Sequence, residues 1–292
     1  MTDTLPIIGF IGLGAMGNGM CRNVARKHAA PVHAFDMNPA ALEAVREAGA
    51  LPAGSVAELA GSCDLFFLSL PGGKQVASVC AEIAATAKPG AIIVDLSTTS
   101  VAEARAIAAS LAEKDISFAD APVARARAAA DAGTLSIMVG ASEDLFARIA
   151  PFLGYMGTDV TRCGEIGCGQ VVKLINNTLL FEHVAALAEM TVVGERAGVP
   201  TETLMQVLSI SSADSFALRN HGMKAILPRA FPEKAFPSNY VLKDLGYAIE
   251  LSEGCGVEPR MPKLVADYYQ AAVDQGIGEK YFPVIVEMIG KD

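Results

Sequence analysis

The sequence offers little with which to hold a metal or build a disulfide framework. Its six cysteines, Cys21, Cys63, Cys80, Cys163, Cys168 and Cys255, form no CxxC pair, and its four histidines fall outside zinc-ligand spacing. Scattered cysteines of this kind read as reduced thiols, which suits a cytoplasmic chain. Positive charge is also scarce. The formal net charge is −9 with no basic patch or stripe, which argues against a nucleic-acid partner. No apolar stretch of about 18 residues runs free of charges or turn breakers, so no membrane span is expected. The apolar run at 7–11 is short and leads straight into a glycine loop, unlike a secretory leader.

What is present is a core-rich chain of 292 residues, 52% hydrophobic and 19% charged, long enough for two domains. Short apolar runs at 6–11, 32–35, 64–70, 91–95, 118–121 and 135–139 predict strands. Between them, 16–28, 39–48, 75–85, 101–113 and 142–149 predict helices, with Ser100 and Ser142 as caps. Such alternation implies right-handed βαβ units and a mostly parallel sheet, an α/β domain over 1–163. From 170 to 197 the pattern is helical almost without a break, roughly 40 Å of helix that can form the spine of a second domain. Helices at 201–208, 241–253, 263–275 and 282–289, with no strand signals, predict that 164–292 is all-α.

The first strand runs into Gly12-Leu13-Gly14-Ala15-Met16-Gly17, and a helix follows at once. Gly12 permits the tight turn, Gly14 lets a pyrophosphate approach the backbone, and Gly17 lets the helix pack closely on the sheet. The helix N-terminus then offers N–H groups and a positive dipole end to the phosphates. Asp36, 19 positions after Gly17, ends the second strand. A carboxylate there accepts from ribose hydroxyls and repels a 2′-phosphate, so the cofactor reads as NAD rather than NADP.

The opening glycine block is followed, in order, by three more: Asp120-Ala121-Pro122-Val123; Gly167-Cys168-Gly169-Gln170-Val171-Val172-Lys173 with Asn176-Asn177; and Lys243-Asp244-Leu245. Together they span nearly the whole chain, which resembles the β-hydroxyacid dehydrogenase family, the family of 3-hydroxyisobutyrate dehydrogenase and tartronate semialdehyde reductase. The resemblance implies a Rossmann domain, a long interdomain helix, an all-α C-terminal domain and assembly as a homodimer or homotetramer.

Lys173 and Asn177 stand four apart near the start of the long helix, on one face. Oxidising an alcohol carbon requires hydride transfer to a nicotinamide and removal of the hydroxyl proton. A lysine can take that proton where burial lowers its pKa towards neutrality, and in reverse its ammonium polarises the carbonyl. By residue type alone Lys173 reads as a surface lysine. The resemblance reverses that: it implies that Lys173 is the catalytic acid/base and that Asn177 belongs to the active site, with Asn176 sharing its role. It also implies cofactor contacts at Leu70, Pro71, Thr98 and Lys243.

One loop departs from the family. Many members follow Asp-Ala-Pro-Val with Ser-Gly-Gly, which holds the substrate carboxylate; here Ala124-Arg125-Ala126-Arg127 follows Val123. Arg125 brings a fork of donors suited to carboxylate, sulfonate or phosphate. The change partly resembles the sulfolactaldehyde reductase branch. The expectation is a small anionic substrate met by Val123, Ala124 and Arg125: a 3-hydroxy acid oxidised to its semialdehyde or, as the alternative, a hydroxysulfonate. Imine reduction on the same scaffold is disfavoured by the presence of Lys173, as is a non-catalytic dinucleotide-binding role.

Overall fold

The computed structural model describes residues 5–233 and 235–290. The chain divides into two compact units at Lys173 and Leu174.

The first unit opens with β1 (Ile8–Ile11), α1 (Gly17–Lys27), β2 (Val32–Phe35), α2 (Ala40–Glu47), β3 (Leu51–Pro52) and α3 (Val56–Ser62). It continues through β4 (Leu65–Leu68), α4 (Gly73–Thr86), β5 (Ile92–Asp95), α5 (Val101–Ala112) and β6 (Ser117–Asp120). The parallel order β3-β2-β1-β4-β5-β6 is that of a Rossmann domain. The sheet is then extended by β7 (Val123–Ala124), β8 (Leu135–Gly140) and β9 (Gly157–Gly164), with α6 (Arg127–Ala132) and α7 (Glu143–Leu153) between them. β8 runs antiparallel to β6 and β7 and parallel to β9, so the unbroken run of parallel pairings ends at β6.

Period-two alternation explains why the central strands are buried on both faces. Ile8 and Phe10 of β1 and Leu65 and Phe67 of β4 join one core, whereas Ile11, Phe66 and Leu68 join the other. Strand order reverses between β1 and β4, so the loops leaving their carboxyl ends border the crevice where such sheets take ligands.

α8 (Cys168–Arg196) begins in the first unit and carries the chain into the second. There α9 (Thr201–Ser209), a π-helix (Leu218–Ile226), α10 (Ser238–Gly254), α11 (Arg260–Asp274) and a 3-10 helix (Phe282–Glu287) surround a core that includes Phe181, Tyr269 and Phe282. The only strand-like pairings in that unit, among the described residues, are the isolated bridges Glu233 to Lys280 and Pro237 to Tyr281.

The division at 173/174 lies past the expected boundary at 163/164 because the first turns of α8 are tied to the first sheet. Asp120 at the end of β6 accepts the Gly167 and Gln170 N–H groups at 2.6 and 2.8 Å. Residues 282–289 were expected as one more α-helix, but Pro283 lacks an N–H and the segment closes i to i−3 bonds instead, as from Met288 N–H to the Ile285 carbonyl. Among the described residues, α8 alone is long and apolar enough, by length and composition, to cross a membrane. Its hydrogen-bonded start and its buried Gln170, Lys173 and Asn177 mark it instead as a helix of the folded units.

Candidate active site

After β1 the chain turns at Gly12, where φ is +94°. A Cβ on Gly12 would run into the Ser69 carbonyl oxygen, and one on Gly17 into that of Gly12. Leu13 is buried between them, whereas Gly14 and Ala15 are exposed and Met16 is half-buried. A Cβ on Gly14 would meet nothing within 4 Å, so no internal packing explains its bareness. α1 starts just beyond with no side chain capping its N-terminus and no acidic residue in its first turn. The positive end of the helix is therefore left for an anion.

Asp36, one residue past β2, leans on the same loop. Its Oδ2 accepts the Leu13 N–H at 2.6 Å and its Oδ1 the Asn38 N–H at 2.8 Å. A carboxylate has acceptor sites beyond those two, which could take ribose hydroxyls. A bare glycine, an open helix N-terminus and an acid at the end of β2 fit a dinucleotide.

The neighbouring exits are tied together. The Leu70 N–H donates to the Ser97 hydroxyl at 2.8 Å, joining the loops after β4 and β5, and Pro71 beyond it is exposed. Across residues 91–100 every side chain is buried except that of Thr98, which is half-buried. Lys173 is buried on α8, at the edge of this unit.

Val123 and Ala124 are half-buried on β7, and Arg125 follows with φ +82°. Its guanidinium is already engaged. Nη1 donates to the Thr134 carbonyl at 2.6 Å and to Thr158 Oγ1 at 3.2 Å, and Nη2 lies 2.7 Å from Asp159. The Thr158 hydroxyl and the Arg125 cation hold the Asp159 carboxyl below the usual carboxylate range.

In the second unit, Asn176 is exposed and donates to Asn177 Oδ1 at 3.1 Å. Buried Asn177 donates to Asp244 Oδ2 at 2.7 Å. Lys243 places its ammonium 3.3 Å from Asp244 Oδ1 and over the rings of Tyr240 and Tyr247, at 5.7 and 5.6 Å. The asparagine pair and the Lys243 block, 67 residues apart in the case of Asn177 and Asp244, thus form one polar chain.

The sequence reading missed the groups that hold these residues: Asp120, Gln170, Asp244 and Asp159. Burial pushes the Asp120 carboxyl up, and the Gly167 and Gln170 N–H groups pull it back. Asp120, Gln170 and Asp244 each stand in one of the motifs, the one available signal, whereas Asp159 stands in none.

Residues 7–164 match the family model described as the NAD binding domain of 6-phosphogluconate dehydrogenase. Residues 167–289 match the NAD-binding model of NADP-dependent 3-hydroxyisobutyrate dehydrogenase. The 2-(hydroxymethyl)glutarate dehydrogenase of Eubacterium barkeri is 35% identical over 284 residues, covering 96% of this chain and 94% of that protein. The probable mitochondrial 3-hydroxyisobutyrate dehydrogenase of Dictyostelium discoideum is 31% identical over 300 residues, covering 100% and 93%. The solved structure of Mycobacterium tuberculosis 3-hydroxyisobutyrate dehydrogenase with L-serine superposes with a TM-score of 0.89 at 28% identity, covering 98% and 99%. A Rossmann domain followed by a helical unit of this kind defines an NAD(P)-dependent oxidoreductase. Within that class, the chain belongs to the β-hydroxyacid dehydrogenase family.

Proposed function

We propose that the protein oxidises a small 3-hydroxy carboxylate with NAD, or reduces the matching semialdehyde, with Lys173 as general acid/base. The observation that carries this reading is the burial of Lys173 in the first turns of α8, whose start is hydrogen-bonded to the loop after β5 and to the end of β6. A lysine is almost never fully buried unless it is paired, so Lys173 is not the surface lysine that its residue type alone implies. Bound NAD supplies the hydride acceptor or donor. Gly12, Leu13, Gly14, Ala15, Met16 and Gly17 would hold its pyrophosphate, Asp36 its adenosine ribose, and Leu70, Pro71, Thr98 and Lys243 its remaining length. The Lys173 amine takes the hydroxyl proton in oxidation and returns it in reduction. Asn177 has a second amide hydrogen, which in this reading meets the substrate oxygen, with Asn176 beside it.

Both 2-(hydroxymethyl)glutarate and 3-hydroxyisobutyrate carry a hydroxymethyl group on the carbon next to a carboxylate, which supports that substrate class. The anion would meet Val123, Ala124 and Arg125. A hydroxysulfonate would rely on the same Arg125 fork, whose bonds to Asp159 and Thr134 either anion would have to displace, so the preference for the carboxylate rests on the substrates of the relatives. Ile175, Leu179, Met190 and Val193 lie exposed along one face of α8, which supports a homo-oligomer.

The test is a screen of 3-hydroxy acids and hydroxysulfonates with NAD and NADP, read by reduced-cofactor absorbance. Preferred turnover of a sulfonate would overturn the carboxylate reading, and no turnover at all would favour a dinucleotide-binding protein without catalysis. Light scattering that returns a monomer would overturn the oligomer.

A further inference from the structure

Gln170 stands three residues before Lys173 and is fully buried. Its carboxamide is used at both ends: Nε2 donates to the Ser97 carbonyl at 2.8 Å, and Oε1 accepts the Thr99 N–H at 3.2 Å. Those backbone groups flank Thr98, so one side chain grips the loop after β5 on both sides of its half-buried residue. The Gln170 backbone is held in turn, its N–H donating to Asp120. Gly169 leaves no slack, since a Cβ there would press on Asp120 and on the Met138 carbonyl.

We infer that Gln170 is a positioning residue that fixes the separation between the backbone at Thr98 and the Lys173 amine. The inference rests on the roles proposed above for Thr98, as a contact of bound NAD, and for Lys173. Hydride and proton leave the same C–OH unit, so the group holding the hydride acceptor and the base must keep one spacing. An error of about 1 Å in such a spacing costs ~10²-fold in rate. Gln170 and Lys173 are i,i+3 neighbours, about 4.5 Å apart along the helix axis, so the helix transmits the grip rigidly. Only a side chain with one donor and one acceptor at this length can hold both Ser97 and Thr99. Glutamine has both, whereas glutamate has both only when protonated.

Two variants test this. Gln170→Met keeps the length and removes both hydrogen bonds. Gln170→Glu keeps the shape and restores the pair only while its carboxyl is protonated, a state that burial favours. Three quantities are read: exchange of the Thr99 amide in the cofactor-free protein by NMR, NAD affinity by titration calorimetry, and kcat against pH. In the methionine variant the Thr99 amide should exchange faster, NAD affinity should stay close to wild type, and kcat should fall ~10²-fold. In the glutamate variant, kcat relative to wild type should fall as pH rises through the carboxyl pKa and recover on acidification. A methionine variant with wild-type kcat, or a glutamate variant that keeps wild-type kcat at a pH where its infrared spectrum shows the ionised carboxylate, overturns the inference. If the methionine variant does not fold, the glutamate profile decides. Lys173→Met separates the two failures. Activity retained in it sinks the acid–base reading, whereas its inactivity beside two normal Gln170 variants sinks only the positioning role.

Discussion

The Asn177 side-chain amide donates to an oxygen of Asp244 at 2.7 Å, and both residues are buried. The same carboxylate is the ion partner of Lys243, so one acid orients both Asn177 and Lys243. Asp244→Ala would leave the Asn177 donor without its acceptor, at a cost of about 1–3 kcal/mol. Urea denaturation should show that loss, and Asp244→Asn, which retains an acceptor, should recover most of it. Equal stability of the two variants would contradict the bond's importance.

Gly12 and Gly14 should separate folding from binding. Gly12→Ala collides with the Ser69 carbonyl and forces the loop to shift, so it should lower both Tm and NAD affinity. Gly14→Ala meets nothing internal, so Tm should hold while NAD affinity falls. A Gly14 variant that binds NAD normally would remove the loop from the cofactor site.

Asp36→Ala removes a carboxylate that accepts the Leu13 N–H and, in the proposed site, the ribose hydroxyls. NAD should weaken by roughly 10-fold or more, as for loss of charged hydrogen bonds worth about 1.5–3 kcal/mol. NADP should gain relative to NAD. An unchanged NADP-to-NAD ratio in a titration of both would contradict the assignment.

How much of this was legible in advance depended on whether the signal was local. β2 fell where expected, at Val32–Phe35, because an apolar run there is bounded by polar and turn residues. β3 is two residues long and contains a proline, and β9 exposes Thr158, Asp159 and Thr161, so neither offers an apolar run. The π-helix at Leu218–Ile226 closes i to i−5 bonds, as from Leu227 N–H to the Gly222 carbonyl, a shift that residue propensities do not encode. The site divides in the same way. The glycine loop, Asp36 and Lys173 belong to compact motifs, whereas Asp120 meets Gly167 across 47 positions and Arg125 meets Asp159 through β8 and β9 pairing. A single sequence carries no register between such distant partners.

Arg125 shows how such a partner alters a prediction. Its φ of +82° suits glycine, and for another residue the left-handed region costs ~1 kcal/mol or more. Arg125→Ala keeps that strain and loses the contacts to Thr134 and Asp159, whereas Arg125→Gly loses the contacts and the strain together. The glycine variant should be the more stable of the two in urea. The reverse order would show that the loop does not hold this backbone conformation.

His221 should dominate acid sensitivity in the helical unit. Burial lowers its pKa to about 4, the Lys224 charge adds to the shift, and Nδ1 pairs with the Tyr281 hydroxyl at 2.7 Å. The unfolded chain takes up a proton near the ordinary value of 6.5, which the folded ring refuses until about 4. Stability is therefore full above pH 6.5 and declines as pH falls to about 4, by roughly 3 kcal/mol in all. His221→Gln cannot titrate and should flatten that limb in denaturation curves taken across the window. An unchanged slope would assign the acid sensitivity elsewhere.

The bonds from Asp120 to Gly167 and Gln170 cross the seam between the two family models, which meet at 164 and 167. Anyone recombining halves of different relatives would naturally cut there. Such a chimera would set the acid of one parent against the helix start of another and would divide the Ser97 and Thr99 loop from the glutamine that grips it. The unit of inheritance in this molecule is therefore the sheet together with the first turns of α8. A graft that exchanges helical domains to change substrate should be joined beyond Lys173.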